Sequence, residues 1–143
     1  MNLSPEQLFA VVADVASYKE FLPLVENSTV RNRQALNAGD ERFSADLSIG
    51  YKKMGIQEVF TSQVDTCLDD FSVRAVSSGN AVRKLVSSWQ ITPIADQVSD
   101  ITFAVDYEMR SAVLQMVMGK LFDVAAQRIM SAFEARAAAL YGS

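Results

Sequence analysis

The side chains that carry most acid–base, nucleophilic and metal chemistry in proteins are scarce in this chain: histidine is absent and cysteine occurs once, as Cys67. Without histidine there is no His-dependent triad and no imidazole ligand for a metal, which leaves carboxylates as the only common metal ligands and suggests no metal site. Cys67, in "VDTCLDD", has no histidine to activate it and no second cysteine to pair with. It reads as a small structural residue in a reducing compartment. Asp106, Glu108 and Arg110 alternate with Val105, Tyr107 and Met109. That spacing suits the solvent face of a strand with cross-strand ion pairs better than a catalytic dyad. Tyr51 and Tyr107 are the remaining acid–base candidates, and neither sits in an evident pair with a carboxylate.

What the sequence does offer is apolar surface. The stretch "VLQMVMGKLF", Val113 to Phe122, contains one glutamine and one lysine in ten positions. An amphipathic helix needs a single apolar stripe, whereas this segment is apolar nearly all round. Three arrangements account for it: deeper burial under another element, a pocket between helix and sheet lined by adaptable methionines, or a lip facing a membrane or partner. The pocket and the lip are compatible.

Half of the 143 residues are hydrophobic and 21% are charged, the composition of a folded chain long enough for one core-forming domain, residues 1–143. No run reaches the roughly 18 apolar residues of a spanning helix, because Lys120 and Asp123 interrupt the richest segment. The start "MNLSPEQLF" lacks the order of a secretory signal, so the expected location is cytoplasmic, with peripheral contact at an inner membrane as an option. The net charge of −4 argues against DNA. The short basic pairs Arg31/Arg33, Lys52/Lys53 and Arg83/Lys84 read as solvated strand edges, or as a small patch for anionic headgroups or ribosomal RNA.

Three kinds of element must position these residues. "SPEQLFAVVADV" opens with Ser4 as N-cap, Pro5 in the first turn and Gln7 closing a capping box, which predicts a helix from about Pro5 to Val15. "SYKEFLP" predicts a short second helix ending before Pro23. Alternation then takes over: Phe43, Ala45, Leu47 and Ile49 point one way in "RFSADLSIGY". Strand patterns recur at 28–34, 42–51, 57–67, 71–77, 84–92 and 99–109, with turn signals between them, so an antiparallel six-stranded meander is expected. From Ser111 to about Tyr141 the period is helical again, with Leu114, Met118, Leu121, Ala125, Ile129, Ala132 and Leu140 on one face and Gly119 as a possible hinge. The fold class is therefore α+β, a sheet wrapped on one long helix.

The segments "SPEQLFAVVADVASYKEFLP", "IGYKKMGIQEVFTSQV", "SSWQI" and the tail ending "FEARAAALYG" together resemble the ubiquinone-binding (coenzyme Q-binding) protein family of the START-like superfamily, whose near relatives are polyketide cyclases and the ribosome association toxin. The resemblance runs along nearly the whole chain. It implies a helix-grip fold, a curved antiparallel sheet around the C-terminal helix with an apolar tunnel between them. It also implies a non-enzymatic protein that carries or chaperones ubiquinone or a related isoprenoid quinone as a non-covalent ligand, supporting respiratory electron transport. Transient membrane-surface contact and ribosome contact follow from the same kinship. The alternatives are a cyclase or aromatase working in the same tunnel, or a ribosome-associated inhibitor of subunit joining.

On this reading Phe21 and Leu24 border the tunnel mouth, Tyr51, Phe60 and Trp89 line its sheet side, and Leu114, Val117, Met118, Leu121, Phe122 and Ala125 supply the helix wall. Plain core packing is an equal alternative for the strand aromatics. Two departures from the family pattern stand out. A strand usually precedes the first helix, whereas here Met1 lies three residues before Ser4, so either the true start lies upstream or the sheet lacks an edge strand. A missing strand is expected to expose a sheet edge and promote self-association or lower stability. A Gly-Pro-Phe turn before the tryptophan is replaced by "GNAVRKLVSSW", where the basic pair Arg83 and Lys84 is kept.

Overall fold

The computed structural model describes residues 3–36, 40–51, 55–79 and 82–141, except the side chains of Tyr51, Ile56, Leu114, Val117, Leu121, Val124 and Ala125. Helix α1 spans Pro5–Ala13 and begins as its residues dictate. Ser4 Oγ accepts from the Gln7 amide at 3.2 Å, and Gln7 Oε1 accepts from the Ser4 amide at 3.1 Å. Such a cap contributes about 1 kcal/mol. The α-helix stops two residues short of Val15. Val15 lies instead in a single 3-10 turn, Val15–Ser17, that keeps its side chain buried. Helix α2, Tyr18–Phe21, follows, and Leu22 leaves the helix ahead of Pro23 as that proline requires.

Six strands come next: β1 Val25–Ala35, β2 Glu41–Tyr51, β3 Ile56–Cys67, β4 Ser72–Ser78, β5 Val82–Ala95 and β6 Val98–Met109. They pair in sequence order, β1-β2-β3-β4-β5-β6, all antiparallel. Irregularities interrupt the register in β1, at Val25/Asn27 and Arg31/Gln34, and in the β5–β6 pair, at Val82/Lys84 and Pro93/Ala95. Bulges of this kind strengthen the local twist and curl the sheet. One face turns inward with period two, burying Phe43, Ala45, Val64, Val73 and Ile91. The other face carries cross-strand ion pairs: Arg31 with Asp46 at 3.0 Å, Arg42 with Asp65 at 2.6 Å and Lys84 with Asp106 at 2.6 Å, whereas Arg33, paired with Glu41 at 2.7 Å, lies over the ring of inward-facing Phe43 beside the start of β2. Exposed pairs of this sort contribute little to stability and weaken with salt. They do account for Arg31, Lys84 and Asp106 as solvent-face residues.

Helix α3, Ala112–Tyr141, lies against the concave side and runs without interruption through Gly119. There the helix approaches the sheet: a Cβ on Gly119 would sit 3.4 Å from Tyr107 Oη. Its inward stripe differs from the one expected from sequence. Leu140 is exposed, and the deeply buried positions of the second half are Phe133 and Ala137. The reason is Phe133, which anchors the rotation of the helix by meeting Tyr18 (ring centroids 5.5 Å), Phe21 (5.2 Å) and Trp89 (4.7 Å). Arg136 packs against α2. Its guanidinium lies over the Phe21 ring, 5.2 Å from the centroid, and reaches Glu20 at 3.5 Å.

A buried strand serine ties the helices to the sheet. Ser28 Oγ donates to the Ala16 carbonyl at 2.9 Å and accepts from the Lys19 amide at 3.1 Å, joining β1 to the junction of the 3-10 turn and α2. Both orphan backbone groups at a helix boundary are satisfied by one hydroxyl.

Candidate functional site

Between the concave sheet and α3 lies a partly open cavity of about 250 Å³. Its floor comes from inward positions of β2 to β6, one end is closed by the Leu22–Val25 turn, and its roof is α3 through Met118, Phe122, Ile129 and Phe133. The space exists because small side chains occupy adjacent inward positions of the central strands. Ala45 pairs with Ser62, Ser62 with Ser77, and Ala75 with Ser87, so four neighbouring strands present a small residue where an aromatic would touch the helix. Larger groups stand around this low strip: Phe60 on β3, and Trp89 on β5 directly opposite Phe103 on β6, with rings 4.3 Å apart.

Among the described residues, no charged side chain lines the cavity; the polar ones are Tyr18, Ser62, Ser77 and Ser87. The Tyr18 hydroxyl donates to the Val12 carbonyl. Burial, reinforced by the nearby Asp14 charge, pushes its phenol above the ordinary range, so it stays protonated and committed to the backbone. Cavities of this composition hold apolar guests, and even an engineered apolar void of about 150 Å³ stays dry and takes up benzene.

The residues singled out from sequence distribute unevenly. Leu24, Phe60, Trp89, Met118 and Phe122 line the cavity. Leu24 does so from a left-handed backbone conformation (φ 72°), held by its carbonyl accepting from the Gly50 amide at 2.9 Å. Such a conformation is costly for a non-glycine residue and is fixed here by the strand beside it. Phe21 lies elsewhere. Its ring packs between Tyr18 and Phe133, and it borders a wider, shallow depression of about 590 Å³ shared with Lys19 and Arg128. The side chains of Tyr51, Leu114, Val117, Leu121 and Ala125 lie outside the described residues. Sequence reasoning missed Tyr18, Phe103, Phe133 and the serines. Phe103 was within reach, because it shares the inward face of β6 with Val105 and Tyr107; the serines required knowledge of the strand register.

Val113 and Met116 remain 66% and 58% exposed. The apolar start of α3 thus splits, with Met118 and Phe122 turned to the cavity and Val113 and Met116 turned to solvent. No described helix is long and apolar enough to cross a membrane.

A curved antiparallel sheet gripping a long C-terminal helix over an apolar cavity defines a helix-grip, START-like ligand-binding fold. The chain matches the model of the polyketide cyclase/dehydrase and lipid transport family over residues 1–134, and it belongs to that family. It is 27% identical over 140 residues to the ribosome association toxin RatA of Escherichia coli, covering 98% of this chain and 84% of the relative. It is 28% identical over 136 residues to the mitochondrial coenzyme Q-binding protein COQ10 of Drosophila melanogaster, covering 93% of this chain but 53% of that protein. A START superfamily protein from Mycobacterium smegmatis superposes with a TM-score of 0.80 at 19% identity, covering 98% of this chain and 93% of the other.

Proposed function

We propose that this protein binds an isoprenoid quinone such as ubiquinone in the cavity between sheet and helix, and serves respiratory electron transport as a carrier or chaperone without turning the ligand over. The observation that carries the reading is the cavity lining, which is apolar and, among the described residues, free of charged groups. Tyr18, its single titratable member there, is occupied by Val12. The similarity to a protein named for coenzyme Q binding points the same way.

The volume limits how the ligand sits. About 250 Å³ falls below the roughly 300–1,000 Å³ of pockets that enclose a drug-sized molecule. The cavity accommodates the ring and the beginning of the tail, and a long isoprenoid chain is not enclosed whole. The remainder of the tail stays in a bilayer or against apolar surface such as Val113 and Met116, on the same end of α3 as Met118.

The test is to purify the protein from a quinone-producing host, extract it with organic solvent and analyse the lipid by mass spectrometry. Recovery of about one quinone per chain is expected; a chain free of isoprenoid lipid would contradict the reading. A second reading, ribosome association, is favoured by the 27% identity to RatA along 98% of the chain. Arg31, Arg33 and Lys84 are engaged in ion pairs, Arg83 is exposed, and Lys52 and Lys53 lie outside the described residues. Co-sedimentation with the large ribosomal subunit, with no lipid recovered, is the result that would favour it.

A further inference from the structure

Outside the cavity, the buried hydroxyls of Ser28 and Thr66 serve the backbone. Ser28 joins β1 to the helices, and Thr66 Oγ1 accepts from the Glu41 amide at 3.1 Å. The serines on the cavity floor are different. Ser62, 4% exposed, and Ser77 stand directly opposite one another on β3 and β4, with their hydroxyl oxygens 2.6 Å apart. Ser87 faces the same cavity from β5, opposite Ala75 and diagonal to Ser77. Two hydroxyls sharing one hydrogen bond have one proton left over, and Ser87 Oγ has no hydrogen-bond partner among the described residues. The strip therefore holds two donor hydrogens with no assigned acceptor, in an otherwise apolar hollow. In the partly open cavity Ser87 Oγ keeps some contact with solvent, but a guest that covers the strip without accepting these hydrogens leaves them unpaired, which is destabilising.

We propose that Ser62, Ser77 and Ser87 form a hydrogen-bonding strip that takes a carbonyl oxygen of a planar-ring ligand, setting the depth to which its head enters. The proposal deepens the quinone reading and rests on it. The flanking residues suit a flat ring. Phe60 is two positions before Ser62 and Trp89 two after Ser87, so both stand on the inward face beside the hydroxyls. The hydroxyls offer hydrogens and the carbonyl accepts them; no charge is required on either side, which matches a cavity whose described residues bring none. Each such neutral bond changes affinity about 2- to 10-fold.

The experiment compares a decyl-substituted benzoquinone with decylbenzene by calorimetry, on the full chain and on the variants Ser62→Ala/Ser77→Ala and Ser87→Ala. The unaltered protein is expected to bind the quinone at least about 10-fold more tightly than the hydrocarbon. The double variant should lose most of that preference while keeping its affinity for decylbenzene, and Ser77→Thr, which keeps a hydroxyl, should retain the preference. Equal affinity for the two probes in the unaltered protein, or equal weakening of both in the variants, would overturn the strip while leaving the apolar cavity as a binding site. Binding of neither probe by the unaltered protein would overturn the quinone reading and the strip with it. The comparison on the unaltered chain does not depend on any variant folding.

Discussion

Met118→Glu is expected to lower quinone affinity by about 100-fold or more at neutral pH, with the fold intact. Met118 reaches the cavity from α3 and packs beside Phe60 and Met109. A carboxylate there either draws water into the hollow or must be desolvated when the ligand enters, and the desolvation of an unpaired charge costs several kcal/mol. With no basic residue among the described lining, nothing compensates it. The sign of the pH effect follows from the same argument. Burial against apolar groups raises the pKa of the introduced glutamate, so the neutral form gains ground as pH falls and part of the affinity should return in mildly acidic buffer. Met118→Leu, a volume-conserving change, should bind nearly as well as the parent. Calorimetric titration of the two variants at neutral and acidic pH checks this, and unimpaired binding by Met118→Glu would show that the ligand lies elsewhere.

The second large effect is on stability. Phe133→Ala should destabilise the protein by about 3–5 kcal/mol, because it removes a ring that is 1% exposed and meets three other aromatic rings. For a chain of this size that corresponds to a fall in Tm of about 10 °C or more. No other described residue joins α2, α3 and β5 through ring contacts at once, so the loss is not confined to one packing layer. Phe133 also forms part of the cavity roof, and its removal enlarges the hollow. Added quinone should therefore restore part of the lost Tm, since a ligand that binds the native state stabilises it by mass action. A change below about 1 kcal/mol in denaturant unfolding would mean that the helix is held mainly by other contacts.

Much of the fold was legible because its determinants are local. Ser4, Pro5 and Gln7 lie within one turn of each other, and the alternation Phe43, Ala45, Leu47, Ile49 needs only the period of a strand. Turn residues then give the meander, since short connections leave antiparallel neighbours few alternatives. The helix rotation was less legible. The second half of α3 is so rich in alanine that apolar periodicity alone does not choose between a face through Leu140 and one through Phe133. The choice falls to the aromatic partners Tyr18, Phe21 and Trp89, which lie far away in the chain.

The candidate site was legible in composition but not in shape. The apolar excess at 113–122 and the missing histidine pointed to binding of an apolar guest, and Leu24, Phe60, Trp89, Met118 and Phe122 do surround one hollow. Phe21 was placed there on the strength of its neighbour Pro23, yet its ring belongs to the aromatic cluster under Arg136. The serine strip could not be found from spacing. Ser62, Ser77 and Ser87 become neighbours only through the registers of three strands, and in sequence each looks like an ordinary polar residue in an alternating run.

The central claim, that a quinone enters the hollow between sheet and α3, is tested most directly by the fluorescence of Trp89. It is the single tryptophan of the chain and lies in the cavity lining. Quinones quench indole emission on close approach, so titration with a decyl-substituted benzoquinone should give saturable quenching that ends at about one quinone per chain and is lost in Met118→Glu. Quenching that rises linearly without saturation, or is the same in both proteins, would place the quinone outside the cavity and contradict the account.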